Sequence, residues 1–309
     1  ADLARAITLV ESKRPEDYDA KYALVREARK SGCMSTRIAI TGPPGVGKSS
    51  LIEKIGLAFI ELGHRVAVLA IDPSSPGSGG SILGDQTRME HLSSNPSAFI
   101  RPTPSAAQAG GVSEFTRETI SLCEAAGYDV VLIETVGVGQ GEYRVQGMSD
   151  IVVLVTIPGT GDGLQGIKRG IMEVADLIVI NKCDGGNEAA ARASMLEIKG
   201  AVRISRKEDS VPDVVCTSAK SGSGIAEVLD AIQKITDADT ESGALANRRM
   251  QQEESWFNDA VASRLQAVVE NEDQLQLARK QLLSLVSKGD VDPVSAAKLY
   301  VSAILRHPF

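Results

Sequence analysis

Apolar positions along the chain follow two rhythms. Between Arg37 and about Ile235, short unbroken aliphatic runs alternate with segments of helical spacing. The runs are RIAIT (37–41), RVAVLAID (65–72), AFIR (98–101), DVVLIET (129–135), IVVLVTI (151–157), LIVIN (177–181) and VVCTS (214–218). A strand covered on both faces has no polar face to alternate with, so such runs predict a parallel sheet between helical layers. The expected fold class is α/β, a doubly wound, mostly parallel sheet with helical extensions at both ends. Ahead of the sheet, Leu3–Ser12 and Glu16–Lys30 read as helices separated at Pro15, which cannot continue the first.

After about Asp239 the strand rhythm stops, and helices are expected near Ala246–Val269, Glu272–Ser287 and Pro293–Leu305. Phe257, Val261, Leu265 and Val268 recur at helical spacing, as do Leu275, Ala278, Leu282 and Leu285, so each set forms one apolar stripe. A stripe of this kind either packs back on its own chain or pairs with a second subunit.

Composition narrows the function classes. The 309 residues are 43% hydrophobic and 24% charged, within the ordinary globular range. The net charge is −7 and no long basic run is present, which argues against general nucleic-acid binding and against an anionic membrane surface. Cys33, Cys123, Cys183 and Cys216 are widely spaced and form no CxxC pair, as expected of reduced thiols in a cytoplasmic setting. No apolar run approaches the ~20 residues that span a bilayer, and the N-terminus has no secretory h-region. A processed mitochondrial matrix protein would show the same features.

Chemistry enters with Gly42-Pro43-Pro44-Gly45-Val46-Gly47-Lys48-Ser49, a GxxxxGK[ST] sequence between a strand and a helix. Its glycines let backbone N–H groups, from Gly45 through Ser50, curl around phosphate oxygens at a helix N-terminus. Lys48 reaches the β and γ phosphates, and the Ser49 hydroxyl takes a Mg²⁺ position. The P-loop domain is expected to span 35–238, with helical extensions at 1–34 and 239–309.

About 130 residues later, Asn181-Lys182-Cys183-Asp184 reads as NKxD at a strand end, where α/β sheets bind ligands. A carboxylate at Asp184 accepts from both N1–H and the exocyclic amine of guanine, an arrangement that adenine does not offer. Lys182 can lie along the purine and Asn181 can brace the loop. Ser218-Ala219-Lys220 follows another strand and can present a backbone N–H to the guanine carbonyl. Asp72, Asp85 and Glu134 end strands or loops beside the P-loop and supply hard oxygen ligands for Mg²⁺. The Gly137 N–H is the natural γ-phosphate contact. The position after it is Val138, with Gln140 two further on, so no Gln stands where many Ras-like GTPases orient water and fast unaided hydrolysis is not expected.

Longer stretches carry a family likeness: GPPGVGKSSLIE, AIDPSSP with GGSILGDQTRM, FIRPTPS, LCEAAGYDVVLIETVGVGQ, LQGIKRGIMEVADLIVINK and the N-terminal ARAITLVESKRP. The chain closely resembles the MeaB/ArgK group, the methylmalonyl-CoA mutase-associated GTPases. The likeness is dense from Arg37 to Asp184 and weaker from Gly185 to Asp213 and in the C-terminal helices. It implies a homodimeric G protein of the SIMIBI type that binds GTP/GDP and Mg²⁺. It further implies a metallo-chaperone for an adenosylcobalamin-dependent acyl-CoA mutase, gating cofactor loading and protecting or reactivating the mutase.

Carried over by residue, Ser49, Asp72, Asp85 and Glu134 match the metal-site positions. Asp162, Gln165 and Lys168 fall in a third switch loop on positions linked to partner-stimulated hydrolysis, where Lys168 supplies positive charge and Gln165 orients water. Gly163 stands where family members commonly carry an acid, and Gly141 where they carry Ser, so one loop charge is absent. Alternative readings are a nickel-delivering metallochaperone GTPase, an ATPase associated with amino-acid transport, and a small-molecule kinase. The first needs a Cys/His cluster, while His64, His91 and His307 are far apart in sequence.

Overall fold

A computed structural model describes residues 2–12, 14–72, 89–104, 115–135, 145–159, 174–205 and 211–306; at positions 15, 71, 72, 103, 104 and 205 the description covers the backbone alone. The described elements open with helices α1 (Asp2–Val10) and α2 (Tyr18–Lys30), separated by a 3-10 turn at Pro15–Asp17. Seven strands follow: β1 (Thr36–Thr41), β2 (Val66–Asp72), β3 (Ala98–Pro104), β4 (Val130–Glu134), β5 (Ile151–Thr156), β6 (Leu177–Ile180) and β7 (Asp213–Cys216). Between and after them run α3 (Lys48–Glu61), the short α4 (Glu90–Ser93), α5 (Thr116–Ala125), α6 (Glu188–Ser205), α7 (Ile225–Glu241), α8 (Ala244–Asn271), α9 (Asp273–Lys288) and α10 (Pro293–Arg306).

The strands form one sheet in the order β3-β2-β4-β1-β5-β6-β7, with every neighbouring pair parallel. Parallel neighbours require crossovers, and the intervening helices cover both faces. Alternate residues of β1 accordingly serve different cores. Ile38 and Ile40 pack with Leu51, Ile52 and Ile55 of α3 and with Val228 and Ile232 of α7. Ala39 faces the other way, toward Val131 and Ile133 of β4 and Ile120 and Cys123 of α5. The apolar runs are thus continuous because each strand is walled in twice. The doubly wound α/β fold expected from the sequence is the fold observed.

The edge of the sheet where β1 and β5 begin is closed by charge. Glu124, at the end of α5, accepts from Ser35 N (3.1 Å), Ser35 Oγ (2.7 Å), Arg37 Nε (2.9 Å) and Arg37 Nη2 (3.1 Å). Asp150 accepts from Arg37 N (2.8 Å), Arg249 Nε (2.9 Å) and Arg249 Nη2 (2.6 Å), and Arg249 Nη2 also donates to Ser35 O at 2.6 Å. Arg248 donates to the Asp150 carbonyl and pairs with Asp239 at 2.8 Å. Charges this well buried persist only when their hydrogen-bonding capacity is met, and bidentate guanidinium–carboxylate geometry meets it.

Compactness divides the chain into residues 1–249 and 250–309. Within the second unit α9 and α10 pack on each other, and Leu275 and Ala296 are buried. Phe257 (67% exposed), Val261 (41%) and Leu265 (46%) of α8 leave one apolar stripe open.

Candidate functional site

The P-loop grows out of β1 at the C-terminal edge of the sheet. Gly42 sits at φ 148°, and a Cβ there would lie 2.1 Å from the Val155 carbonyl oxygen of neighbouring β5. Gly47 sits at φ 91° as the N-cap of α3, and its Cβ would lie 2.7 Å from Asn181 Nδ2. Both are glycine because the backbone there is left-handed and the next element touches it. The turn leads into the N-terminus of α3, whose first N–H groups have no acceptor within the helix.

Lys48 folds back over the loop, its Nζ donating to Gly42 O (2.8 Å) and Pro43 O (3.1 Å). Neutral carbonyls are partners that a phosphate can displace, since charge-assisted bonds are roughly twice as strong. Burial holds the ammonium below the ordinary lysine range, with Glu134 pulling the other way. Beside it Ser49 Oγ donates to Glu134 Oε1 at 2.8 Å, joining the start of α3 to the end of β4. A hydroxyl and a carboxylate in contact at the phosphate end are hard oxygen donors suited to Mg²⁺. Asp72 closes β2, two strands from β1, but its side chain lies outside the described residues, as does Asp85. Among the described residues no group of three or more His, Cys, Asp or Glu side chains is arranged to hold a metal ion.

The contact between the P-loop and the loops after β6 and β7 is organised by Asn181, which is 1% exposed. Its Nδ2 donates to Val46 O (2.9 Å), and its Oδ1 accepts from Ala219 N (3.0 Å) and Thr217 Oγ1 (3.3 Å). One amide therefore ties the P-loop to the loop after β7. Lys182 turns the chain at φ 61°, rare for a residue with a side chain, and its Nζ donates to Gly45 O at 2.7 Å. Cys183 N donates to Thr217 O (2.9 Å). Burial and the Cys216 thiol push Cys183 up to about 12, so it stands as a neutral thiol next to Asp184. The Asp184 carboxylate is half-buried and accepts no hydrogen bond from a side chain among the described residues. Ser218 and Ala219 are buried and Lys220 is exposed.

The structure thus brings Gly45, Val46, Gly47, Lys48, Ser49, Ser50, Glu134, Asn181, Lys182, Asp184 and Ser218–Lys220 to one edge of the sheet. Gly137, Asp162, Gln165 and Lys168 lie outside the described residues. Three contributors escaped sequence reasoning. The Val155 carbonyl explains Gly42, and the Thr217 hydroxyl supports Asn181. Gly224, at φ 77°, is required because a Cβ would meet Cys216 O at 2.1 Å. The SGSG stretch after the SAK sequence was the available signal for the last.

A parallel α/β sheet with a P-loop leaving its central strand, and an NKxD loop hydrogen-bonded to that P-loop, define the architecture of a P-loop GTPase. Comparison with known proteins specifies which kind. The profile of the family described as methylmalonyl Co-A mutase-associated GTPase MeaB matches residues 3–274. A probable GTPase of Mycobacterium tuberculosis is 46% identical over 301 residues, covering 96% of this chain and 89% of its own. The mouse protein named methylmalonic aciduria type A homolog, mitochondrial, is 42% identical over 319 residues, covering 98% and 76%. A crystal structure described as LAO/AO transport system kinase superposes with TM-score 0.73 at 37% identity, covering 98% and 92%. The chain belongs to the MeaB family of P-loop GTPases, and its activity is the hydrolysis of GTP.

Proposed function

We propose that this GTPase is a Mg²⁺-dependent switch serving an adenosylcobalamin-dependent acyl-CoA mutase of the methylmalonyl-CoA type, gating cofactor loading and protecting or reactivating the mutase. The observation that carries the reading is the match over residues 3–274 to a family described by its association with that mutase. The name of the mouse relative supports it. The LAO/AO kinase name suggests a transport role for that protein, but the carboxylate of Asp184, which accepts no side-chain hydrogen bond among the described residues, favours guanine over adenine here.

In this reading Lys48 exchanges the carbonyls of Gly42 and Pro43 for the β and γ phosphates, while N–H groups from Gly45 through Ser50 wrap the phosphate chain. Ser49 and Glu134, with Asp72 and Asp85, would hold Mg²⁺, which when bound neutralises charge developing on the transferred phosphoryl group. Asp184 receives the guanine edge, Lys182 flanks it, and Asn181 keeps the phosphate and base ends at a fixed separation. Asp162, Gln165 and Lys168 complete catalysis when the mutase binds, which makes unaided turnover slow. Homodimerisation through the exposed stripe Phe257, Val261 and Leu265 would bury it.

The test is GTP turnover with and without a methylmalonyl-CoA or isobutyryl-CoA mutase. Stimulation by the mutase, blunted in Lys168→Ala, is expected. A rate indifferent to every such mutase, with no copurification, contradicts the chaperone role. Phe257→Glu with Leu265→Glu should yield monomers by light scattering; a surviving dimer places the interface elsewhere.

A further inference from the structure

Three buried hydroxyls outside the nucleotide site belong to segments that pack on one face of the sheet. Thr41 (1% exposed), Thr116 (1%) and Thr135 (4%) are buried, and Oγ1 of each lacks a hydrogen-bond partner among the described residues. Thr41 lies two residues beyond Ala39, Thr135 two beyond Ile133, and Thr116 one turn before Ile120. Ala39, Ile133 and Ile120 pack in a single cluster on the face of the sheet away from α3. Strand alternation puts Thr41 and Thr135 on that same face.

β1 and β4 are in register at Ile40 and Glu134, and Thr135 N donates to Ile40 O at 3.1 Å, so the two threonines are cross-strand neighbours. α5 connects parallel strands β3 and β4 and runs back against them. Its first turn, with Thr116, therefore stands at the strand ends where Thr41 and Thr135 sit.

Native cores rarely leave a buried hydroxyl unpaired, and here three such groups, without a partner among the described residues, lie on neighbouring segments. Internal waters typically make about three hydrogen bonds to such groups. Each hydroxyl can donate or accept, and the three together carry no charge, which suits water better than a cation. We infer that the hydroxyls of Thr41, Thr116 and Thr135 form a binding site for an ordered internal water. The water links the residue before the P-loop, the residue after Glu134 and the first turn of α5, bracing the nucleotide site from behind the sheet.

A high-resolution crystal structure of the full chain with GDP tests this directly. One ordered water within about 3 Å of all three Oγ1 atoms is expected. In solution Thr41→Val, Thr116→Val and Thr135→Val remove the hydroxyl at nearly constant shape. Each should lower Tm by about 2–4 °C, and Ser at the same position should restore most of the loss. An empty site, a protein atom in place of the water, or Val variants that melt at or above the wild-type temperature would overturn the inference. Should a Val variant fail to fold, the crystal structure and the Ser variants still decide.

Discussion

The two edges of the sheet hold charged groups in opposite ways. Where β1 and β5 begin, Glu124 and Asp150 face Arg37 and Arg249, and each carboxylate is met by guanidinium and backbone N–H donors. Where the strands end, Lys48 and Lys182 are held by the neutral carbonyls of Gly42, Pro43 and Gly45, and the Asp184 carboxylate accepts no side-chain hydrogen bond among the described residues. A charge paired with an opposite charge on its own chain has no reason to exchange partners. A charge resting on carbonyls gains by taking up a phosphate, and an open carboxylate gains by taking up a purine edge. The contrast supports assigning binding to one edge and fastening to the other, and each can be attacked separately.

The largest effect is expected at the binding edge. Asp184→Ala should lower GDP affinity on the order of 10⁴-fold, because the base loses its paired acceptor, while Tm without nucleotide hardly moves. Equilibrium titration and a melting curve check the two halves of that statement. The opposite signature is expected at the fastening edge. Arg249→Met leaves Asp150 buried without its guanidinium and should lower stability by about 3–5 kcal/mol in denaturant unfolding, with GDP affinity of the folded protein unchanged. If Arg249→Met instead abolished GDP binding while leaving stability intact, the separation of roles would be wrong.

A smaller loss is expected from Asn181→Ala, which frees Val46 O and Ala219 N from their shared brace. About 10- to 100-fold weaker GDP binding corresponds to the one or two hydrogen bonds by which Asn181 ties the P-loop to the loop after β7. The smallest effect concerns pH. Lys48 is held below the ordinary lysine range by burial, and a bound phosphate would raise it again. Affinity is then flat while Lys48 is protonated in both states. It falls as pH rises through the lowered value in the free protein, by up to about tenfold per pH unit. Titrations on the alkaline side in buffers of different ionisation enthalpy should register proton uptake, and Lys48→Arg should remove it.

The binding edge was far more legible in the sequence than the fastening edge. Strands covered twice read as unbroken apolar runs, so all seven runs became strands of the sheet. The P-loop and NKxD sequences are local, and local spacing is what a sequence displays. Strand order is not local, and neither is the ion network. Arg37 lies 87 positions from Glu124, and Asp150 lies 99 from Arg249. In the sequence Arg248 and Arg249 look like solvated charges at the start of a helix. Gly42 was legible as part of a motif, yet its necessity comes from the Val155 carbonyl of a strand more than a hundred residues later.

We propose that Asp184, held half-buried beside the braced P-loop, selects guanine. Calorimetric titration of the full chain with GDP and with ADP in the presence of Mg²⁺ tests it most directly. GDP should bind tighter than ADP by on the order of 10⁴-fold. Equal affinities for the two nucleotides would contradict it.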